Sequence, residues 1–192
     1  MTYLVAGLIL FLGVHSVRLL ADDWRTRVRT TWGARTWRAA YSLLSLAGFG
    51  LIVWGFGLVR QSPVQLWSPP TGMRHLAAFL TLLAFVLLAA AYVPRNQIKA
   101  RLHHPMAAGV ALWAFAHLLA NGNVGHVVLF GTFLGWAMLS FLAATRRDRR
   151  ASTVYRAGRT GATGITVALG VAAWMAFTLW LHGWLIGVRP FG

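Results

Sequence analysis

The stretch TYLVAGLILFLGVHSVRLL, residues Thr2–Leu20, is the first of several apolar runs in this chain, and it decides the fold class. As a helix it is about 28 Å long, close to the ~30 Å hydrocarbon core of a bilayer. Similar runs recur along the chain, and such runs are typical of transmembrane helices. We therefore predict an all-α polytopic transmembrane helical bundle in a single domain, residues 1–192. About six spans are expected: Thr2–Leu20, Ala39–Val59, Arg74–Val93, Met106–Ala120, Val124–Ala144 and Gly161–Val188.

The composition agrees with a membrane protein and excludes several kinds of site. Of the 192 residues, 58% are hydrophobic and only 11% are charged, whereas a soluble domain carries about 25% charged residues. The chain has no cysteine, which excludes disulfides and thiolate ligands. It has no Glu, and its acids are Asp22, Asp23 and Asp148, all outside the apolar runs. A paired-carboxylate acid–base site inside the membrane is therefore excluded.

The basic residues predict the topology. Lys and Arg total 18 against three acids, which gives a formal net charge of +15. They cluster after the first, third and fifth spans, as Lys and Arg do in cytoplasmic loops. We therefore predict a multi-pass protein of the bacterial inner membrane with both termini on the outer, periplasmic side. The expected partner is the lipid bilayer, and nucleic acid is not expected.

Histidines are the informative ionisable residues of the spans. His15 shares a face of the first span with Gly7, and His117 lies on one face of the fourth span with Trp113. Each could simply bond a backbone carbonyl or a neighbouring helix. Two neutral imidazoles on different helices of an acid-poor, cysteine-free chain are, however, well suited to bind haem iron from both faces. Zinc is disfavoured because no tight histidine cluster is visible.

Further candidates surround this pair. Trp113 is a candidate cofactor contact, and Arg18, one turn after His15, is a candidate partner of a haem propionate. Snorkelling of Arg18 to the cytoplasmic face is the interpretation we favour. Because His15 and His117 are expected at depths that differ by several ångströms, His104 and His126 are alternative second ligands.

Four segments resemble the NnrU family, and the resemblance covers nearly the whole chain. They are LFLGVHSVR from Leu10, YSLLSLAGFGLIVWGFG from Tyr41, AAYVPRNQIKARLHHPMAAGVALWAFAHLLANG from Ala90, and LHGWLIGV from Leu181. The combination of HPM and WAFAHLLANG at fixed spacing is the most specific part. NnrU proteins are associated with nitrite and nitric oxide reduction in denitrifying bacteria. The family is also related to the zeta-carotene isomerases, integral membrane haem b enzymes that isomerise a carotenoid double bond.

The resemblance implies haem b as the cofactor, His15 and His117 as its axial ligands, and an undefined role for His104. Since the chain has no cysteine, the alternative thiolate ligand of the isomerases is missing. The leading hypothesis is a haem-b-binding protein with a redox, NO-related or supporting role in denitrification. Its partners would be nitric oxide or a lipophilic substrate, and electron-transfer or denitrification proteins. The alternatives are a haem-dependent polyene isomerase and a cofactor-free membrane assembly factor.

Overall fold

The computed structural model describes residues 1–191, which form helices joined by short connections, with no β-strand among these residues. The all-α prediction is confirmed. The helices are α1 (Thr2–Leu20), α2 (Asp22–Thr31), α3 (Ala34–Val59), α4 (Met73–Tyr92), α5 (Gln97–Leu102), α6 (Pro105–Ala120), α7 (Val124–Arg150), α8 (Thr160–Ala176) and α9 (His182–Ile186), with a π-helical turn (Phe177–Leu181) between α8 and α9.

Five of the six predicted spans are helices long and apolar enough to cross a membrane. The fourth, α6, is apolar but has only 16 residues, as its short predicted run indicated. Pro105 occupies its first turn, where the missing backbone N–H costs no helical hydrogen bond. The fold class is therefore confirmed, whereas the side on which the termini lie and the single-domain organisation remain predictions.

The described chain divides into two compact units. The first unit comprises Met1–Leu66 and Asn123–Thr132. In it, α1 packs along α3 so closely that a Cβ atom at Gly7 would lie 2.6 Å from the Ile52 nitrogen. A Cβ at Gly48 would lie 2.7 Å from the Phe11 nitrogen. Small residues let helix backbones approach, and Gly7 and Gly48 have this role at the contact between α1 and α3.

The second unit comprises Trp67–Gly122 and the chain from Phe133 onward. In it, α4 packs against α6 and α8. A Cβ at Gly170 would lie 2.6 Å from the Val86 Cα, so α8 approaches α4 at the backbone. The Trp174 indole also donates a hydrogen bond to Thr81 Oγ1 at 3.1 Å, which joins the same two helices. Together these two contacts fix the spacing between α4 and α8.

Three features were not predicted. The polar helices α2 and α5 lie in segments that the apolar pattern assigned to loops. The sixth span is interrupted by the π-helical turn, a feature often found at functional sites. Gly131 and Gly135 of α7 form a GxxxG pattern, which is typical of close helix packing, yet no atom lies within 4 Å of a Cβ built on either residue.

Candidate functional site

His15 lies in the first unit, half-buried on the face of α1 that packs on α3. Its ring stacks on Phe11, with ring centroids 4.2 Å apart, and contacts Tyr41 of α3 at 5.2 Å. Its Nδ1 lies 2.7 Å from the Phe11 carbonyl oxygen, one turn earlier in the same helix. Since a carbonyl oxygen only accepts, Nδ1 is the donor, and the Nε2 atom carries the imidazole lone pair.

His117 has the same local arrangement in the second unit. Its Nδ1 donates to the Trp113 carbonyl oxygen at 2.8 Å, again one turn earlier in the helix. Its ring lies 5.1 Å from the Trp113 ring, which in turn packs edge-on against Phe133 at 5.6 Å. The Nδ1–H tautomer again places the lone pair on Nε2. An aromatic residue four positions before each histidine thus supplies both the acceptor and a ring contact.

A cavity of about 390 Å³ adjoins His117, entirely within the second unit. Its volume falls within the ~300–1,000 Å³ of typical small-molecule sites. The apolar part of its wall is largely aromatic, and the polar part holds a second histidine and two arginines. The aromatic residues are Phe85, Trp113, Phe177 and Phe191, and the charged or titratable ones are Arg74, His117, His182 and Arg189.

The C-terminal segment forms one wall of this cavity. Gly187 adopts the left-handed conformation, with φ near +74°, and ends α9. The chain then turns back so that His182 Nδ1 donates to the Val188 carbonyl at 2.6 Å, and Phe191 packs edge-on against Trp174. The reversal places Arg189 in the cavity wall.

Sequence reasoning missed Arg74, His182 and Arg189 as site residues. All three lie near the ends of predicted spans, where an interfacial position is the default expectation for such side chains. A signal was nevertheless present: Arg60, Arg74 and Arg189 are the basic residues at the predicted outer ends of the spans, and two of these three line the cavity beside His117.

His104 is engaged in another cluster of the second unit. Its Nε2 lies 2.7 Å from Asp148 Oδ2, at ion-pair distance but without the alignment of a regular hydrogen bond. The Tyr155 hydroxyl donates a short hydrogen bond to the same carboxylate, and the His103 ring stacks on Tyr155 at 3.9 Å. Burial, followed by the contact with Asp148, raises the pKa of Tyr155 to about 12. This cluster attaches the loop after α7 to the start of α6, which makes His104 a poorer candidate for an iron ligand.

His126, the other alternative ligand, lies in the first unit. Its Nδ1 donates to the Asn123 side-chain oxygen at 2.6 Å, and its ring packs edge-on against Phe56 and stacks near Phe130. Because Asn123 immediately precedes α7, the pair stabilises the start of that helix.

Arg18 lies in a second cavity, of about 380 Å³ within the first unit. His15 contributes to its wall, together with Arg25 and Arg38. Among residues 1–191 there is no group of three or more His, Cys, Asp or Glu side chains that could hold a metal ion by itself.

Comparison with known proteins identifies the family. A family model described as NnrU protein matches residues 3–190, nearly the whole chain. No curated protein and no solved structure matches the chain.

Proposed function

The chain belongs to the NnrU family, and we propose that it is a haem-b-binding, multi-pass protein of the bacterial inner membrane with His15 and His117 as the axial ligands. The proposed role is redox or NO-related, in support of nitrite and nitric oxide metabolism. That role rests on the family resemblance, whereas the proposed ligands also have support from the geometry of their own helices.

The observation that carries the proposal is the shared arrangement of the two histidines. In both, Nδ1–H is bound by a backbone carbonyl, at 2.7 Å for His15 and 2.8 Å for His117. Histidines that ligate metals almost always donate their other ring N–H to such an acceptor, which fixes the tautomer and makes the ligating nitrogen more basic. Both imidazoles are therefore preorganised to ligate through Nε2.

The cavity beside His117 offers residues suited to a haem, whereas His15 lines the other cavity, in the first unit. A haem has an apolar macrocycle and two carboxylates, and the cavity beside His117 offers aromatic walls and two arginines. Arg74 and Arg189 would bind the propionates, because guanidinium groups form bidentate hydrogen bonds with carboxylates. Trp113 and Phe177 would contact the macrocycle and exclude water from its face.

When bound, the haem would supply one-electron redox chemistry, and the iron would be able to bind nitric oxide only after release of one of the two histidines. The chain's own contribution is to hold two imidazoles in one tautomer and to keep the site apolar. The Phe11 and Trp113 carbonyls perform the first task. Since the predicted spans carry no carboxylate, they provide no acidic group for proton transfer inside the membrane.

Spectroscopy of the purified full chain, expressed with added haem precursor, tests the proposal. The wild type should bind one haem per chain and give a low-spin spectrum. His15→Ala and His117→Ala should each lose that spectrum, because each removes one axial nitrogen. His103→Ala is the matched control, since His103 stacks on Tyr155 and should leave the spectrum unchanged. A protein that contains no haem after this expression would refute the proposal.

The aromatic lining of the same cavity favours one second candidate, a haem-dependent cis–trans isomerase of a lipophilic polyene. A flat conjugated chain would stack on Phe85, Trp113 or Phe177. Expression beside a carotenoid pathway blocked at the cis-isomer stage tests it. A shift towards the trans isomer, abolished by His117→Ala, would support this candidate, and an unchanged isomer profile would exclude it.

A further inference from the structure

The segment that joins α1 to α3 is basic and is too short and polar to cross the membrane. With the adjoining helix ends included, from Arg18 to Arg38, it contains six arginines and two aspartates. Its helix α2 has ten residues, about 15 Å of helix, and follows α1 after the single residue Ala21. Trp24 and Trp32 are 48% and 59% exposed. Exposed tryptophans beside arginines are typical of a helix at the membrane–water interface.

Three arginines of this region line one cavity of about 380 Å³ in the first unit. Arg18 comes from the end of α1, Arg25 from α2 and Arg38 from the start of α3. Arg25 pairs with Asp22 at 3.2 Å, and Arg38 Nε donates to the Ala34 carbonyl at 3.1 Å. Each contact fixes an arginine side chain along its own helix, with Arg25 half-buried and Arg38 exposed at the cavity wall.

The rest of the wall indicates what kind of anion the cavity takes. Trp37 and Tyr41 form an aromatic side, with ring centroids 6.5 Å apart, and Val14 and Val17 form an apolar side. Guanidinium groups bind phosphate oxygens by bidentate hydrogen bonds, and basic pockets between transmembrane helices bind lipid headgroups. The valines suit the acyl chains of a lipid, whereas a free phosphate ion would gain nothing from them.

We propose that this cavity is a binding site for the phosphodiester headgroup of an anionic phospholipid, held by Arg18, Arg25 and Arg38. His15 also lines this cavity, so the lipid site adjoins one of the two proposed haem ligands. The bound lipid would bridge the ends of α1, α2 and α3 and hold the connecting helix on the membrane surface.

The test compares two double variants of the full chain in a neutral detergent. Arg18→Gln/Arg38→Gln removes two charges from the cavity, and Arg27→Gln/Arg29→Gln removes two charges from exposed positions outside its wall. Binding of phosphatidylglycerol and of phosphatidylcholine is measured by native mass spectrometry, with inorganic phosphate as competitor. Each surface charge contributes about fivefold to non-specific attraction. We expect a further loss of about tenfold or more in phosphatidylglycerol affinity for the cavity variant alone.

Four results would overturn the proposal. Equal losses of phosphatidylglycerol affinity in the two variants would indicate non-specific attraction to surface charge rather than a defined site. Equal affinity for phosphatidylcholine would mean that anionic charge is not recognised. Displacement of the lipid by inorganic phosphate at similar concentration would identify a free-anion site. Loss of haem with unchanged lipid binding would assign the cavity arginines to the haem propionates.

A conservative double variant controls for misfolding of the glutamine variant. Arg18→Lys/Arg38→Lys keeps both charges but not the planar guanidinium groups. It should bind phosphatidylglycerol more weakly than the wild type and more tightly than the glutamine variant. Because the lipid measurement needs no haem, it stands whether or not the haem proposal holds.

Discussion

Replacing Gly48 by alanine tests whether the backbone contact between α1 and α3 positions His15. A Cβ at Gly48 would lie 2.7 Å from the Phe11 nitrogen and 3.0 Å from the Phe11 Cα and Cβ. The distance from this Cβ to the Phe11 nitrogen is about 0.7 Å shorter than the 3.4 Å at which ordinary van der Waals contacts begin. The crowded atoms include backbone, so no change of rotamer relieves the contact, and the two helices must move apart at this point.

The magnitude follows from two opposing effects. Overpacking of this kind costs about 1–3 kcal/mol, and the better helix propensity of alanine returns about 0.5–1 kcal/mol. We therefore expect Gly48→Ala to lower the free energy of unfolding by up to about 2.5 kcal/mol. Since Phe11 carries the carbonyl that binds His15 Nδ1, its displacement should also lower the fraction of low-spin haem.

Gly50→Ala is the matched control on the same helix. A Cβ at Gly50 meets no atom within 4 Å, so this change should leave stability unchanged or raise it by about 0.5–1 kcal/mol. Unfolding in mixed detergent micelles measures the first effect, and the haem spectrum measures the second. If Gly48→Ala matched Gly50→Ala in both measurements, the positioning of His15 by this backbone contact would be refuted.

Three further predictions concern the second unit. The Tyr155 hydroxyl bond to Asp148 should be present from the pH at which Asp148 is ionised up to about pH 10 and lost as the pH rises to about 12, because the pKa of Tyr155 is raised in the folded protein. Ultraviolet titration should show a late tyrosine step that Tyr155→Phe removes. Asn96 is fully buried, and its side chain donates to two backbone carbonyls and accepts from a backbone N–H. Asn96→Ala should therefore lower the free energy of unfolding in detergent by about 2–4 kcal/mol. An unchanged stability would contradict these hydrogen bonds. Thr81→Val should lower the free energy of unfolding by about 1–2 kcal/mol, because the Trp174 indole N–H loses its acceptor. Thr81→Ser keeps the hydroxyl and should retain the wild-type stability. Equal stabilities of the two variants would contradict this role of the Thr81 hydroxyl.

The sequence predicted the membrane helices well because hydrophobic length alone determines them. The first span was predicted at Thr2–Leu20, the bounds that α1 has, and the fourth, Met106–Ala120, differs from α6 by one residue. The polar helix α2 was missed because the signal used to find helices was a long apolar run, and Trp24 and Val28 are its only apolar residues.

The candidate site was predictable only in part. The sequence pointed to His15 and His117, and helical spacing placed Trp113 on the same face as His117. It did not reveal that Arg189 returns to the cavity beside His117, because that placement depends on the left-handed turn at Gly187 and on the contact between Phe191 and Trp174. Such a reversal arises from tertiary packing and leaves no periodic pattern in the sequence.

The most direct test of haem ligation by His15 and His117 is the optical spectrum of the oxidised and reduced full chain, recorded together with His15→Ala and His117→Ala. We predict one low-spin haem per chain in the wild type and loss of the low-spin signal in each variant. A wild-type protein without haem, or a low-spin spectrum that survives both single substitutions, would contradict this ligation.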